Sequence, residues 1–281
     1  MLPPRFLRWL VLAAMLAGGC TAPAPTLAAP SMTPTLAPTR TFTPSPSPSP
    51  TPMPLPPTPS PTPTLAVCSP LAGYALADLA GMVSNPFHPP APGSDDPHQG
   101  VDLAVLDPAS RIALSGNPVQ AVLNGQVALL IKDRFPYGNA VLIETPLEAA
   151  GPEWWAAAGI PTPAPTLEPR SALTCPAFNQ PPVSDAGRRS VYVLYAHMQS
   201  TAELSVGQAV GCGQPLGTIG MSGNALNPHL HVEIRAAPAN LRLGSMAHYD
   251  ASASQDEMAA YCLWRVSGLF QLVDPLNFLQ R

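Results

Sequence analysis

Short apolar runs separated by turn residues dominate the chain from about residue 119 onward. Val119–Leu123 and Gln126–Ile131 flank Asn124-Gly125. An Asn-Gly pair between apolar runs predicts a two-residue hairpin, because both positions tolerate the positive φ such turns need. Runs of the same kind predict strands over Asn139–Glu144, Ser190–Ala196, Gly213–Ile219 and His229–Arg235. Helix is predicted only near Pro70–Met82 and over Ser254–Leu269. Many short strands with few helices predict an all-β, mainly antiparallel fold. The strands ending near Glu144 and starting near Ser190 are joined by an irregular insertion, about residues 146–189, that makes them a long hairpin. It holds Trp154-Trp155, a second Pro-rich run (Pro161–Pro169) and Cys175. Unstructured connections of that length are usually functional or disordered. Two readings follow: a surface insertion, or a lobe whose tryptophans help to bind substrate.

Before residue 67 no strand or helix pattern is present. From Thr21 to Ala66, 16 of 46 residues are Pro, 11 Thr and 5 Ser, with Arg40 the only charge. Such a segment buries too little apolar surface to offset its ordering entropy, so 21–66 is read as a disordered linker. Pro alternating with Ser or Thr biases it toward polyproline II, with a reach on the order of 140 Å at full extension. A spacer or a glycosylated stalk would both use this composition. Ahead of it, Arg5 and Arg8 precede the apolar run Trp9–Ala17 and the small-residue end Gly18-Gly19-Cys20. Nine apolar residues are far fewer than the ~20 that span a bilayer. Residues 1–20 therefore read as a signal peptide, and 67–281 as one domain.

Charge narrows the partners. Of 13 Lys and Arg, three (Arg5, Arg8, Arg40) precede the domain, leaving ten against 17 Asp and Glu, and Lys132 is the sole lysine. Nucleic-acid binding needs clustered basic residues, so it is excluded as a function. Besides Cys20 there are four cysteines, Cys68, Cys175, Cys212 and Cys262, with no C-x-x-C pair. In an oxidising compartment an even number suggests two disulfides, the other reading being four free thiols. Cys68 and Cys262 lie near the domain's two ends, Cys175 in the insertion and Cys212 in a predicted turn. On that placement the expected pairs are Cys175–Cys212 and Cys68–Cys262.

Histidine is scarce, with six in the chain. His98-Gln99-Gly100-Val101-Asp102 puts an imidazole and a carboxylate at an even separation, which in extended chain points both to one face. His229-Leu230-His231 repeats this at i, i+2. With His197 they offer nitrogen and oxygen donors suited to zinc, whose catalytic sites use three protein ligands and an open fourth position. Neither a Gly-x-Ser-x-Gly elbow nor a His-Glu-x-x-His motif is present.

These motifs, with their neighbours, resemble the lysostaphin-like (LytM-type, duplicated hybrid motif) zinc metalloendopeptidases. The resemblance runs in order through His98–Ala104, Pro118–Ala121, Gly125–Val127, Tyr137–Asn139, Tyr195–Met198, Val206–Gln208, Gly213–Gly217, Gly220–Gly223, Pro228–Arg235 and Val273–Leu276. It implies an antiparallel β core whose sheet floors a groove for an extended peptide of peptidoglycan. It implies Zn2+ on His98, Asp102 and His231, with His197 and His229 handling the proton and the oxyanion in an order left open. The other reading is a wall-binding or hydrolase-activating protein of the same fold without catalysis. A regulatory partner is not indicated either way. Leu16–Cys20 resembles a bacterial lipobox, with Ala17 where an aliphatic residue is usual. It implies an extracytoplasmic protein held by lipid on Cys20 at the outer face of the cell membrane, the alternative being secretion. Glu233 and Arg235 alternate with His231 and are expected to face the same side, with two readings, a surface ion pair or support behind His231; His88 and His248 are expected to serve surface or capping roles.

Overall fold

The computed structural model describes residues 65–163 and 173–281. The segment read as a signal peptide, the lipobox-like Leu16–Cys20 and nearly all of the Pro-rich stretch lie outside the described residues, as does most of the run Pro161–Pro169. Among the described residues, no helix is long and apolar enough to cross a membrane.

Among the described residues, ten strands form one sheet in which every pair is antiparallel, as expected. In chain order they are β1 (Val83–Asn85), β2 (Val101–Leu103), β3 (Pro118–Gln120), β4 (Gly125–Arg134), β5 (Gly138–Pro146), β6 (Asp185–Thr201), β7 (Ala209–Val210), β8 (Pro215–Ile219), β9 (Leu230–Ala239) and β10 (Gln271–Val273). The main order is β1-β2-β9-β6-β5-β4-β7, with β10 added on β9 and β8 bridging β6 to β3. Among the described residues, three α-helices complete the fold: α1 (Pro152–Ala157), α2 (Gln255–Arg265) and α3 (Pro275–Leu279). Of the helix predicted near Pro70–Met82, only a 3-10 turn at Leu76–Met82 forms.

Both faces of the sheet are covered, which the period-2 alternation explains. Along β6, Val191, Val193 and Tyr195 enter one apolar core, while Tyr192, Leu194 and Ala196 enter a second on the opposite face. Along β9, Leu230, Val232 and Ile234 enter the first core. The second is roofed by α2, which contributes Tyr261 and Trp264. A capping box starts α2, Ser254 accepting from the Glu257 amide and Glu257 accepting from the Ser254 amide. Arg134 on β4 grips the same Glu257 through two hydrogen bonds of 2.8 Å, seating the helix on this face.

The Asn124-Gly125 hairpin does not form. β3 pairs with β8, and β4 pairs with β5 and β7. Asn124 instead hands the chain from one partner to the next: its Oδ1 accepts from the Cys212 amide and its carbonyl from Thr145. The expected disulfides are also corrected. The bonds are Cys68–Cys212 and Cys175–Cys262. The first tracks the same crossing, because the Cys68 amide donates to the Val122 carbonyl beside Asn124. The second ties the insertion's return arm to α2, where Asn179 and Gln255 add hydrogen bonds of 2.8 and 2.7 Å.

The insertion is shorter than expected, since β5 runs on to Pro146 and β6 begins at Asp185. Its tryptophans are structural. Trp155 is buried in the first core, and Trp154 lies edge-on to Phe278 and beneath the Arg281 guanidinium. Neither lines the groove.

Candidate metal centre

Strand register assembles the site. In β2 and β9, Asp102 stands directly opposite His231, and Asn85 of β1 stands beside Asp102. Ala196 of β6 pairs His231 on the other side. His98 arrives from the turn before β2, and His229, two residues before His231, bridges Gly220. His197 reaches the site by a bulge. Simple alternation would put it with Val193 and Tyr195 on the opposite face. Between Tyr195 and Met198, however, β6 places two residues, Ala196 and His197, against the single Ala140 that separates their partners Val141 and Asn139 on β5. His197 takes φ 61°, in the left-handed region, and its amide donates to the Tyr137 carbonyl at 3.0 Å. A bulge re-aims the side chain it carries, here toward His229 and His231, whose rings lie 4.9 and 5.6 Å away.

Three donor atoms converge: His98 Nε2 and Asp102 Oδ1 at 3.1 Å, His98 Nε2 and His231 Nδ1 at 3.1 Å, and His231 Nδ1 and Asp102 Oδ1 at 2.7 Å. Each imidazole spends its other nitrogen on an oxygen that can only accept. His98 Nδ1 donates to the Pro86 carbonyl and His231 Nε2 to Glu233 Oε1. Neutral rings so fixed turn both lone pairs toward the carboxylate, leaving three acceptors face to face. Only a cation or an extra proton reconciles them, so the donor set fits a divalent metal. Without metal the proton takes that place. Burial alone pushes His231 down, but hydrogen bonds to Asp102 and Glu233 hold it up at about 9. Burial likewise opposes ionisation of Asp102, yet its bonds to His231 and His98 hold it well below the usual carboxylate range. Its second oxygen accepts from Asn85 at 3.2 Å.

His197 and His229 stand over these donors in a different state. His197 Nδ1 donates to the Ser222 carbonyl and His229 Nδ1 to that of Asn227, each at 2.8 Å. In each ring Nε2 is the nitrogen not held by a backbone carbonyl; that of His229 lies 3.6 Å from Asp102 Oδ1. Burial and the neighbouring imidazoles push His197 down to about 3, so it is neutral at ordinary pH. All five histidine and aspartate residues line one groove of about 710 Å³, walled by Phe135–Tyr137 and Asn224–Asn227. The structure thus brings together every site residue read from the sequence.

Of the two readings offered for Glu233 and Arg235, support behind His231 is the one the structure shows. Glu233 and Arg235 are no surface pair: α2 roofs their face and both are fully buried. Their even spacing from His231 was the available signal, and only the roof was missing. Tyr137, which belongs to the Tyr137–Asn139 motif, completes the network with Arg265 and Asp95, and those two carry no local pattern at all. His248 is also buried, against Tyr249 and Tyr261, whereas His88 is exposed as expected.

Gly100 has a reason to be glycine. A Cβ there would sit 2.5 Å from the Val232 carbonyl oxygen and 2.7 and 2.8 Å from two His231 ring atoms. Gly100→Ala should cost on the order of 1–3 kcal/mol by overpacking. It should also shrink the rise in melting temperature that added zinc produces, measured by thermal melts with and without metal.

Residues 183–242 match the sequence model of Peptidase family M23. The lysostaphin-like resemblance holds. The M23 segment runs from the start of β6 past β9, so it contains His197, His229 and His231 but not His98 or Asp102, and it supports a peptidase reading of the groove. No curated protein matches the chain. Among solved structures, the catalytic domain of lysostaphin from Staphylococcus simulans is 18% identical, with 74% of this chain and 98% of that chain covered and a TM-score of 0.36. The catalytic domain, an A109H mutant, of the prophage-encoded M23 protein EnpA from Enterococcus faecalis is 20% identical, with coverages of 55% and 79% and a TM-score of 0.31. A Pseudomonas aeruginosa chain assigned to peptidase M23 is 20% identical, with coverages of 65% and 49% and a TM-score of 0.31. The present chain spans about half the length of that last one.

Proposed function

We propose that the domain is an extracytoplasmic zinc metalloendopeptidase that hydrolyses peptide bonds in peptidoglycan stem peptides or cross-bridges. The observation that carries this reading is the convergence of His98 Nε2, Asp102 Oδ1 and His231 Nδ1, with their lone pairs turned inward, on the floor of an open groove. These three residues would hold the metal. Zinc so bound supplies an acidified water and a Lewis acid for the scissile carbonyl. His197 and His229 do the proton work, each offering Nε2 to the groove while a backbone carbonyl fixes the ring through Nδ1. A ring that takes a proton from water at Nε2 becomes a donor there, able to pass the proton to the leaving amine or to stabilise the oxyanion. No carboxylate stands in a His-Glu-x-x-His arrangement to replace them. In the same reading residues 1–20 direct export, Cys20 carries a lipid, and 21–66 tether the domain 67–281 to the outer face of the cell membrane.

Digestion of purified peptidoglycan, followed by mass spectrometry, tests the proposal. The zinc-loaded protein should release fragments with new peptide termini, and a chelator should abolish them until zinc is restored. Zinc-loaded protein that binds the wall and leaves every peptide bond intact would overturn it in favour of the non-catalytic reading.

A further inference from the structure

Beneath His231 lies a buried charged network that the proposed chemistry does not use. The two oxygens of Glu233 have different tasks. Oε2 is held by Arg235 through Nε at 3.0 Å and Nη2 at 2.5 Å, and by Trp264 Nε1 at 2.9 Å. Oε1, which receives the His231 Nε2 proton, is held by Tyr137 Oη at 2.9 Å and Arg265 Nη1 at 2.8 Å. Arg265 reaches that oxygen from α2, outside the sheet that carries the metal donors. Its far side is pinned as well: Nε donates to Asp95 Oδ1 at 2.5 Å and Nη2 to the Asp95 carbonyl at 2.9 Å. The other oxygen of Asp95 accepts from Tyr249 and Tyr261, each at 2.8 Å. Charges balance within the group, two carboxylates (Glu233, Asp95) against two guanidiniums (Arg235, Arg265).

Resting on the metal-centre reading above, we infer that Arg265 is a positioning residue for the metal: through Glu233 Oε1 it sets the ring orientation of His231 and keeps the proton on Nε2. A His231 ring free to rotate about its Cβ–Cγ bond would lose the aim of Nδ1, and Oε1 is the contact that prevents this. The planar fork of an arginine is what lets one side chain hold Glu233 and Asp95 at once. A lysine keeps the charge but supplies a single ammonium, which cannot reproduce both sets of bonds. Outer partners that orient a ligating histidine are worth about 10–100-fold in metal affinity, and that is the scale expected here.

The experiment compares the full chain with Arg265→Lys, reading the zinc Kd by competition with a chromogenic chelator. The melting temperature without metal and the downfield proton resonance of the His231 ring N–H are read on the same samples. Arg265→Lys should melt below the parent because some of its buried bonds go unmade, yet remain folded at the assay temperature, bind zinc about 10–100-fold more weakly, and show the His231 resonance moved upfield. A Lys variant with the parent's Kd and an unmoved resonance overturns the inference. Should Arg265→Lys fail to fold, Asp95→Asn decides. It takes the carboxylate charge away from Arg265 Nε, leaves the bond from Nη2 to the residue-95 carbonyl in place and does not touch Glu233, so a weaker Kd is expected and an unchanged Kd overturns the inference. Parent protein that binds no zinc removes the metal centre and this inference together. Parent that binds zinc tightly yet leaves peptidoglycan uncut removes the cleavage reading alone.

Discussion

His98→Ala, Asp102→Ala and His231→Ala should each lose zinc and peptidase activity together, whereas His197→Ala and His229→Ala should keep the metal and lose activity. The split follows from which nitrogen each ring has free and where it points. His98 and His231 turn theirs toward Asp102 Oδ1 at 3.1 and 2.7 Å. Removing any one donor leaves two, which cannot maintain a catalytic zinc geometry. His197 and His229 have Nδ1 tied to backbone carbonyls, and His229 Nε2 lies 3.6 Å from Asp102 Oδ1, beyond the 2.7–3.1 Å that separates the three donors. Truncating either should lower the rate by about 10²–10⁴, the range for a lost acid–base group or oxyanion donor. Metal content by atomic absorption and turnover on peptidoglycan, measured on all five variants, check both halves. Zinc lost from His197→Ala or retained by His231→Ala would show the roles to be misassigned.

Arg235→Met should destabilise the domain by about 3–5 kcal/mol, the range for breaking a buried ion pair by removing one partner. Its guanidinium is 1% exposed and holds Glu233 Oε2, the Gln99 side chain and the Trp264 carbonyl, with the Trp264 ring 4.6 Å beneath it. Methionine replaces the aliphatic stem but leaves those three acceptors short of a donor in a site that water does not reach. Urea unfolding should show a lower midpoint at an unchanged m-value. A loss below about 1 kcal/mol would mean that the arginine behaves like an exposed partner.

How far the sequence reveals this molecule depends on the range over which each feature is decided. His98 with Asp102, and His229 with His231, are legible because even spacing in extended chain decides which face each pair shares, and the surrounding motifs add His197. That His197 needs a bulge to join them is invisible, because alternation alone predicts the wrong face. Asn124-Gly125 misleads for a related reason. The pair permits a tight reversal, yet strands distant in sequence compete for its flanks, and β8 and β5 win. The cysteine pairs depend wholly on tertiary path, since Cys68 meets Cys212 across 144 residues. Glu233 and Arg235 carry the right spacing, but the choice between a surface pair and support behind His231 stays open until α2 is known to cover them. Arg265 and Asp95 are 170 residues apart and meet only in the folded chain.

The crosslink between Cys68 and Cys212 also decides how the domain would carry mechanical load. Residues preceding Leu65 join the domain only three positions before a covalent bond to the turn between β7 and β8. A pull arriving from that side would reach a sulfur–sulfur bond before it could peel Leu71 from its bridge to Val119. Backbone hydrogen bonds at a strand end yield one after another under tension, whereas a covalent bond does not. His98 and Asp102 lie downstream of that anchor, so tugging on the chain's leading end would strain the staple and leave the spacing of the metal donors undisturbed.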